Sequence, residues 1–566
     1  MVHSANKPLI LAVFGNLLLV LGIFLCIFWP ILIHGLFNKE LSLTPKSQSF
    51  EIWSDSSRIP LHMEIYFFNW TNPHELKLAG KKPNFEQLGP YTFLEKREKV
   101  NIIFHPKNGT VSYDQRRTWY FDASKSNGSL TDNVTQLNVV ALSAAHKVRY
   151  WMYLVQISMS AVAMSGINEI HVTKTVDELL FTGYSDPMID MGRIGGSMVD
   201  IPPFDKFGWF YKRNGSTEFD GHFNMATGQN DIMNIGALLN WNYQNTTNYY
   251  DPPCNALEGS AGELWPPERT KDQIALFSAD ICRPLIYEYE GISTHQGIEG
   301  YKYVIGDKTL SNSTKRRYPH EQAKYFDTKE STTEEFFDIE HSSEFSETPE
   351  DYGEPDVVNM GKCYCSGDCL PSGLINVTAC RYGAPAFVSL PHFHKADPIY
   401  REQVDGLNPD DEKHGFSITL EPKTGIPINV AARLQVNILL QPSPYISLFK
   451  DVPKIYFPMF WFNERVGITK DLAFSLKVFL HLPSIGFYSS IALICLGSLL
   501  LISAGVLRYS YKRRSTPSNM KQRGGIVPSA PKTELVYLDT TLPNDDNQTR
   551  LNRQLYPNLK SVKENF

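Results

Sequence analysis

The chain has 566 residues, a formal net charge of -6 at neutral pH, 42% apolar and 12% aromatic residues. That composition supports a large folded core and excludes a wholly disordered protein. Mild acidity argues against a nucleic-acid partner, because phosphate binding calls for clustered positive charge.

A short tail, residues 1–8, precedes an uncharged run from Leu9 to Ile33, with Lys7 before it and Lys39 and Glu40 after it. A cleaved signal peptide has an apolar region of about 7–15 residues and ends at small side chains. Trp29, Pro30, Ile31, Leu32 and Ile33 occupy that place, so residues 9–33 are expected to form an uncleaved transmembrane helix. Residues 34–484 then make one ectodomain.

Within it, Glu64 to Phe68, Tyr91 to Leu94 and Trp119 to Phe121 are short aromatic or β-branched runs bounded by Pro, Gly and Asn, which predicts strands. Leu137, Val140, Ala141, Ala144 and Val148 recur at helical spacing, and an apolar run from Trp151 to Met164 follows. That helical region is expected to be core rather than a contact surface. Asn69, Asn108, Asn127, Asn133, Asn214, Asn245, Asn312 and Asn376 each open an Asn-X-Ser/Thr triplet, which suits glycosylation on the outer side of a membrane. Between Thr328 and Asp356 stand eleven acidic residues and one lysine, so residues 328–356 read as a solvated loop.

Cys254, Cys282, Cys363, Cys365, Cys369 and Cys380 lie in the ectodomain, and six cysteines in an oxidising space predict three disulfides with fifteen pairings open. Zinc, with His392 and His394 close by, is the alternative, but it requires reduced thiolates. In a late strand Leu434, Val436, Ile438 and Leu440 alternate with Arg433, Gln435 and Asn437, which predicts one buried and one wet face.

Ile485 to Leu507 is again uncharged, and would span roughly 34 Å as a helix. Arg508, Lys512, Arg513, Arg514, Lys521 and Arg523 follow it, so residues 485–507 are expected to span the membrane with both termini cytoplasmic. The tail, residues 508–566, is polar. It carries Tyr556-Pro557-Asn558-Leu559, a tyrosine-x-x-bulky pattern suited to a clathrin adaptor through Tyr556 and Leu559, and an apolar terminus at Phe566 suited to a PDZ groove.

Several segments together resemble the class B scavenger receptor family: Gly89-Pro90-Tyr91, Glu178-Leu179-Leu180 with Gly183-Tyr184 and Asp186-Pro187, and Phe277 to Arg283. Ser389 to Phe393, Asp405 to Pro409, Arg433 to Asn437 and Trp461 to Glu464 continue the resemblance in the same order. It implies an α+β fold, in which a large antiparallel β-barrel-like ectodomain with a helical apical bundle and a lipid tunnel is anchored by two terminal transmembrane helices. It also implies pairing of Cys254 with Cys363, Cys282 with Cys380, and Cys365 with Cys369.

The function so implied is a membrane glycoprotein that binds lipids or lipoprotein particles and mediates their uptake or transfer, with endocytosis. Plasma membrane residence is expected, with endosomal or lysosomal membrane as the other site. A protein-binding sorting or adhesion receptor of the endosomal and lysosomal membrane is the alternative. In the helical region His146, Lys147, Arg149, Tyr150 and Trp151 form a basic and aromatic cluster suited to anionic head groups, with Lys147, Arg149 and Trp151 as candidate contacts. A tunnel can hold an acyl chain without catalytic groups, since each buried methylene is worth roughly 0.8 kcal/mol. No G-x-S-x-G motif occurs, and neither an enzyme, a cofactor nor a metal is expected.

Overall fold

The computed structural model describes residues 7–54, 59–166, 169–194, 204–313, 315–317, 357–365 and 369–515. Four helices frame it: α1 (Lys7–Leu41), α2 (Val139–Lys147), α3 (Tyr153–Gly166) and α4 (Lys470–Ser515). Among the described residues α1 and α4 are the two helices long and apolar enough to cross a membrane. The expected spans are the middles of these longer helices, so positions 34 and 484 fall inside a helix rather than at its end.

The two helices pack on each other through small residues. A Cβ on Gly22 would stand 2.9 Å from the Ile494 backbone nitrogen, and one on Gly497 would stand 2.7 Å from the Gly15 carbonyl. Glycine at these places lets the backbones approach, which is how apolar helices gain contact where no hydrophobic effect separates protein from lipid. The Trp29 indole donates to the Leu482 carbonyl at 3.1 Å. Outside the apolar stretch, Phe37 lies against Phe479 at 4.0 Å between ring centroids. There Ala473 and Leu476 pack on Ile298 and Ile428, which anchors the helix pair to the ectodomain.

Between the helices lie the strands β1 (Leu61–Trp70), β2 (Phe85–His105), β3 (Thr110–Phe121), β4 (Asn133–Leu137), β5 (His171–Thr175), β6 (His222–Ala226), β7 (Leu238–Trp241) and β8 (Gln273–Ser278). They continue as β9 (Arg283–His295), β10 (Ile298–Ile305), β11 (Lys315–Arg317), β12 (Val357–Asn359), β13 (Ile375–Asn376), β14 (Ala386–Ser389), β15 (Ser417–Leu420), β16 (Pro427–Leu440) and β17 (Ile455–Gly467). Thirteen of them form one sheet, whose main path runs β7-β6-β3-β2-β1-β17-β16-β15-β10-β9-β8. The first three sequence-predicted strands lie in β1, β2 and β3, and the late one lies in β16.

The free edges β7 and β8 are joined by one short strap. Leu238 N–H donates to the Gly259 carbonyl at 3.0 Å, and Ser260 N–H donates to the Ala275 carbonyl at 2.9 Å. Pairing both edges in this way removes the exposed template that an open sheet would offer another chain. Gly259 has φ +90°, and a Cβ there would meet the Ala275 backbone at 2.5 Å, so the closure requires glycine.

Register then sorts the side chains into two faces. Ile65 pairs with Phe462 and Phe462 with Leu434; Phe67 pairs with Phe460 and Phe460 with Val436. This face turns inward, because Arg97 and Lys99 on it reach Glu263, just past the strap on the far side. The outer face of β16 is not wet as its alternation suggests. Gln435 and Asn437 are fully buried, whereas Leu434 and Val436 on the inner face keep some exposure.

The reason is a second layer, Ser389 to His414, laid over the outside. Gln435 accepts from the His392 backbone N–H at 2.6 Å, and Asn437 donates to the Ser389 hydroxyl at 3.0 Å. Tyr66 stacks on Trp461 at 4.0 Å, and His392 on His414 at 4.4 Å. Each of these histidines accepts a backbone N–H at its Nδ1, from Asn408 and Asp410 respectively. Burial pushes His392 down to about 3 and His414 down to about 4. Both rings are therefore neutral at ordinary pH.

Candidate functional site

The chain enters β1 at Leu61 from α1 and leaves β17 at Gly467 toward α4, so the opposite end of the sheet, at Trp70, is membrane-distal. Asn69 at that end accepts from the Thr135 backbone in β4, and α2 and α3 follow directly, forming the apex. Asn138 caps α2 by accepting from the Ala141 N–H at 3.0 Å, so the helix starts at Val139 and Leu137 belongs to β4 instead.

The expectation that this region is core holds for α2, where Ala141, Leu142 and Ala145 are buried, and for one side of α3, but not for the rest of the apex. One side of α3 is buried, through Met159, Ala163, Gln156 and Ser160, and Ser160 donates to Ser447 at 3.1 Å. The other side is open at Leu154, 70% exposed, and so is the turn just before the helix, with Tyr150 85%, Met152 74% and Trp151 39% exposed. Lys147 donates to the Tyr382 carbonyl at 3.1 Å, and Arg149 donates to the His146 carbonyl at 2.7 Å while lying 4.5 Å from the Tyr150 ring centroid. The structure thus brings Arg149 beside Tyr150 and turns Lys147 toward Tyr382, with Trp151 exposed in the same turn. His146 leaves the basic cluster: it is buried, bonded to Gln441 at 3.0 Å, and pushed by burial down to about 4. Alternation of apolar types could not separate the open side of α3 from the packed one.

Below the apex, the barrel interior changes character along its axis. Its distal half is aromatic: Phe93 meets Phe181 at 5.2 Å, Trp119 meets Phe210 at 5.3 Å, and Trp209 meets Phe460 at 5.0 Å. Nearer the membrane it is ionic. Arg97 pairs with Glu95 and Glu464, each at 2.7 Å, and Lys99 pairs with Glu263 at 2.9 Å. Arg117 pairs with Asp220 at 3.0 Å, and Arg213 pairs with Asp220 and Asp280 at 2.8 Å each.

Burial alone would push the Glu95 carboxyl up, but Arg97 and Arg117 outweigh it and hold the group below the ordinary range. At Glu464 burial prevails over Arg97 and raises the carboxyl. Sequence reading missed this belt: Glu95-Lys96-Arg97-Glu98-Lys99 is five consecutive charges, so both faces of the strand read as polar and no alternation marks Glu95, Arg97 and Lys99 as the inward set.

Cys254 is bonded to Cys363, and Cys365 to Cys369. The third pair is not linked in this structure, where Cys282 and Cys380 are buried thiols close enough for Cys380 to push the Cys282 thiol up, so it stays an expectation for the oxidised protein. Of the eight sequons, Asn108, Asn127, Asn133, Asn214 and Asn245 are exposed, whereas Asn69, Asn312 and Asn376 are partly buried. The Asn312 amide donates to the Leu370 carbonyl. The acidic stretch 328–356, Tyr556, Leu559 and Phe566 lie outside the described residues.

Comparison with known proteins agrees with this architecture. A family model described as the CD36 family matches residues 13–508. The chain is 37% identical over 482 residues to Protein peste of Drosophila melanogaster, covering 83% of this chain and 77% of that protein. It is 30% identical over 497 residues to scavenger receptor class B member 1 of Rattus norvegicus, covering 87% of each. Lysosome membrane protein 2 of Homo sapiens is 29% identical over 448 residues, covering 78% of this chain and 81% of that protein. A nearly closed antiparallel sheet between two terminal apolar helices, matched from the first helix into the last, makes this chain a membrane protein of the CD36 family, the class B scavenger receptors.

Proposed function

We propose that the protein is a lipid receptor that captures lipid or lipoprotein particles at its apex and passes lipid through the barrel toward the membrane. The observation that carries this reading is the open apolar face at the membrane-distal end, where Tyr150, Met152 and Leu154 stand exposed beside Arg149. Exposed apolar side chains gathered in one place mark a place where apolar matter docks. Residual exposure of Leu434, Val436 and Phe462 on the inner wall supports an interior that an acyl chain can enter. Both termini are taken as cytoplasmic, with the ectodomain outside the cell or in the endosomal and lysosomal lumen.

The test is capture of fluorescent anionic phosphatidylserine vesicles by cells expressing the full chain or the Met152→Glu/Leu154→Glu variant. Capture should fall at least threefold while antibody-measured surface level stays the same. Unchanged capture at equal surface level refutes the apical site, and lipid-free protein by mass spectrometry with unchanged lipid uptake refutes the receptor reading in favour of protein binding. The tail supplies the uptake signal in this scheme. Tyr556→Ala should raise the surface level and slow antibody internalisation, whereas removing Phe566 should do neither.

A further inference from the structure

Among the described residues three arginines are buried: Arg213, Arg283 and Arg433. Two are compensated. Arg213 faces the carboxylates of Asp220 and Asp280 at 2.8 Å each. Arg433 fills its donors with Asn463 at 3.0 Å and the carbonyls of Glu412 and Gly415 at 2.8 Å each.

Arg283, at the start of β9 and 7% exposed, has neither form of compensation. Its guanidinium makes one hydrogen bond, to the Thr309 carbonyl at 3.2 Å, and lies 3.9 Å from the Tyr364 ring centroid. Its Nε is buried without a partner. A guanidinium carries five N–H donors and a charge that cannot be shed, so burying it this way is costly unless a counter-charge is present.

The same arginine lines a cavity of about 50 Å³ shared with Lys308, Ser311, Asn312 and Tyr364, and no lining residue is acidic. Lys308 adds a second positive charge at the rim, its ammonium bonded to the neutral Gln273 amide at 2.6 Å. Glu288 accepts from the Lys308 backbone N–H at 3.3 Å and makes no ion pair with Arg283. A water occupies roughly 10–15 Å³ on this measure, so the space suits one small anion and is far too small for a lipid.

We propose that this cavity is a structural site for a small monovalent inorganic anion, of the halide class, held by Arg283. The anion neutralises the buried guanidinium and ties the start of β9 to the helix Met360–Cys365, which carries one cysteine of each disulfide. None of the apical residues and none of the belt carboxylates line this cavity, so the proposal does not rest on lipid capture.

The test uses the full chain purified in detergent micelles, with sodium gluconate exchanged for sodium chloride at constant ionic strength. Chloride should raise the melting midpoint saturably, and Arg283→Gln should abolish the saturable part. Equal midpoints in gluconate and chloride, or the same chloride response in wild type and variant, overturn the proposal. Should Arg283→Gln fail to fold, bromide-soaked crystals of the wild-type chain decide the matter by anomalous scattering. A peak beside Arg283 is expected, and its absence there overturns the site.

Discussion

Arg97 is the centre of the interior ionic belt, and replacing it with Met tests whether that belt holds the barrel. Arg97 pairs with Glu95 and Glu464 at 2.7 Å, and the Glu95 side chain is 1% exposed. Arg117, 3.8 Å from Glu95, is too distant to take over as a hydrogen-bonded partner. The Trp119 indole still donates to Glu95 at 2.9 Å, but it carries no charge, and removing the cation from a buried ion pair costs about 3–5 kcal/mol. An unfolding entropy of roughly 2.1 cal/mol/K per residue, over an ectodomain of about 450 residues, converts this to a drop of ~3–5 °C in melting midpoint.

The assay is thermal unfolding of the full chain in detergent at one scan rate, at pH 7.4 and pH 5. Glu95 is held below the ordinary range in the fold, so its stabilisation is present above the ordinary carboxylate value and fades as pH falls through the folded value. Without Arg97, burial raises Glu95 and Glu464, both carboxyls protonate earlier, and the deficit of the variant should be smaller at pH 5 than at pH 7.4. Arg97→Met/Glu464→Gln should recover part of the loss. A single variant within about 1 °C of wild type at both pH values would refute the reasoning, because it falls well short of the predicted drop.

Three other outcomes are expected. Gly22→Leu places a side chain against the Ile494 backbone, where a Cβ alone comes within 2.9 Å, and should separate α1 from α4; a full-strength zero-length crosslink between the two helices in membranes would contradict this. His392 and His414, pushed by burial down to about 3 and about 4 from an ordinary 6.5, bind protons more readily when unfolded. Stability should therefore be complete above pH 6.5 and decline toward pH 4, with a shallower decline in His392→Gln/His414→Gln and an equally steep one counting against the pair. Non-reducing peptide mapping of secretory-pathway protein should recover Cys254 with Cys363, Cys365 with Cys369, and Cys282 with Cys380; labelled thiols at Cys282 and Cys380 would show the third pair to be open.

Much of this protein is written locally. An uncharged run of more than twenty residues has one low-energy environment, a bilayer, so both long helices are readable without knowing what they touch. Short β-branched and aromatic runs likewise declare β1, β2 and β3, and ordered segments such as Gly89-Pro90-Tyr91 declare the family. What the sequence left undecided is which side of an element meets what. Alternation in Arg433 to Leu440 defines two faces, but only the layer from Ser389 to His414 makes the polar one the drier. Apolar residues in α3 look alike until Ser447 covers one side and nothing in the described chain covers Leu154. The Arg97 belt, the strap at Ser260 and the cavity at Arg283 join residues distant in sequence, and such pairings arise from closure of the sheet, a global constraint that no local pattern encodes.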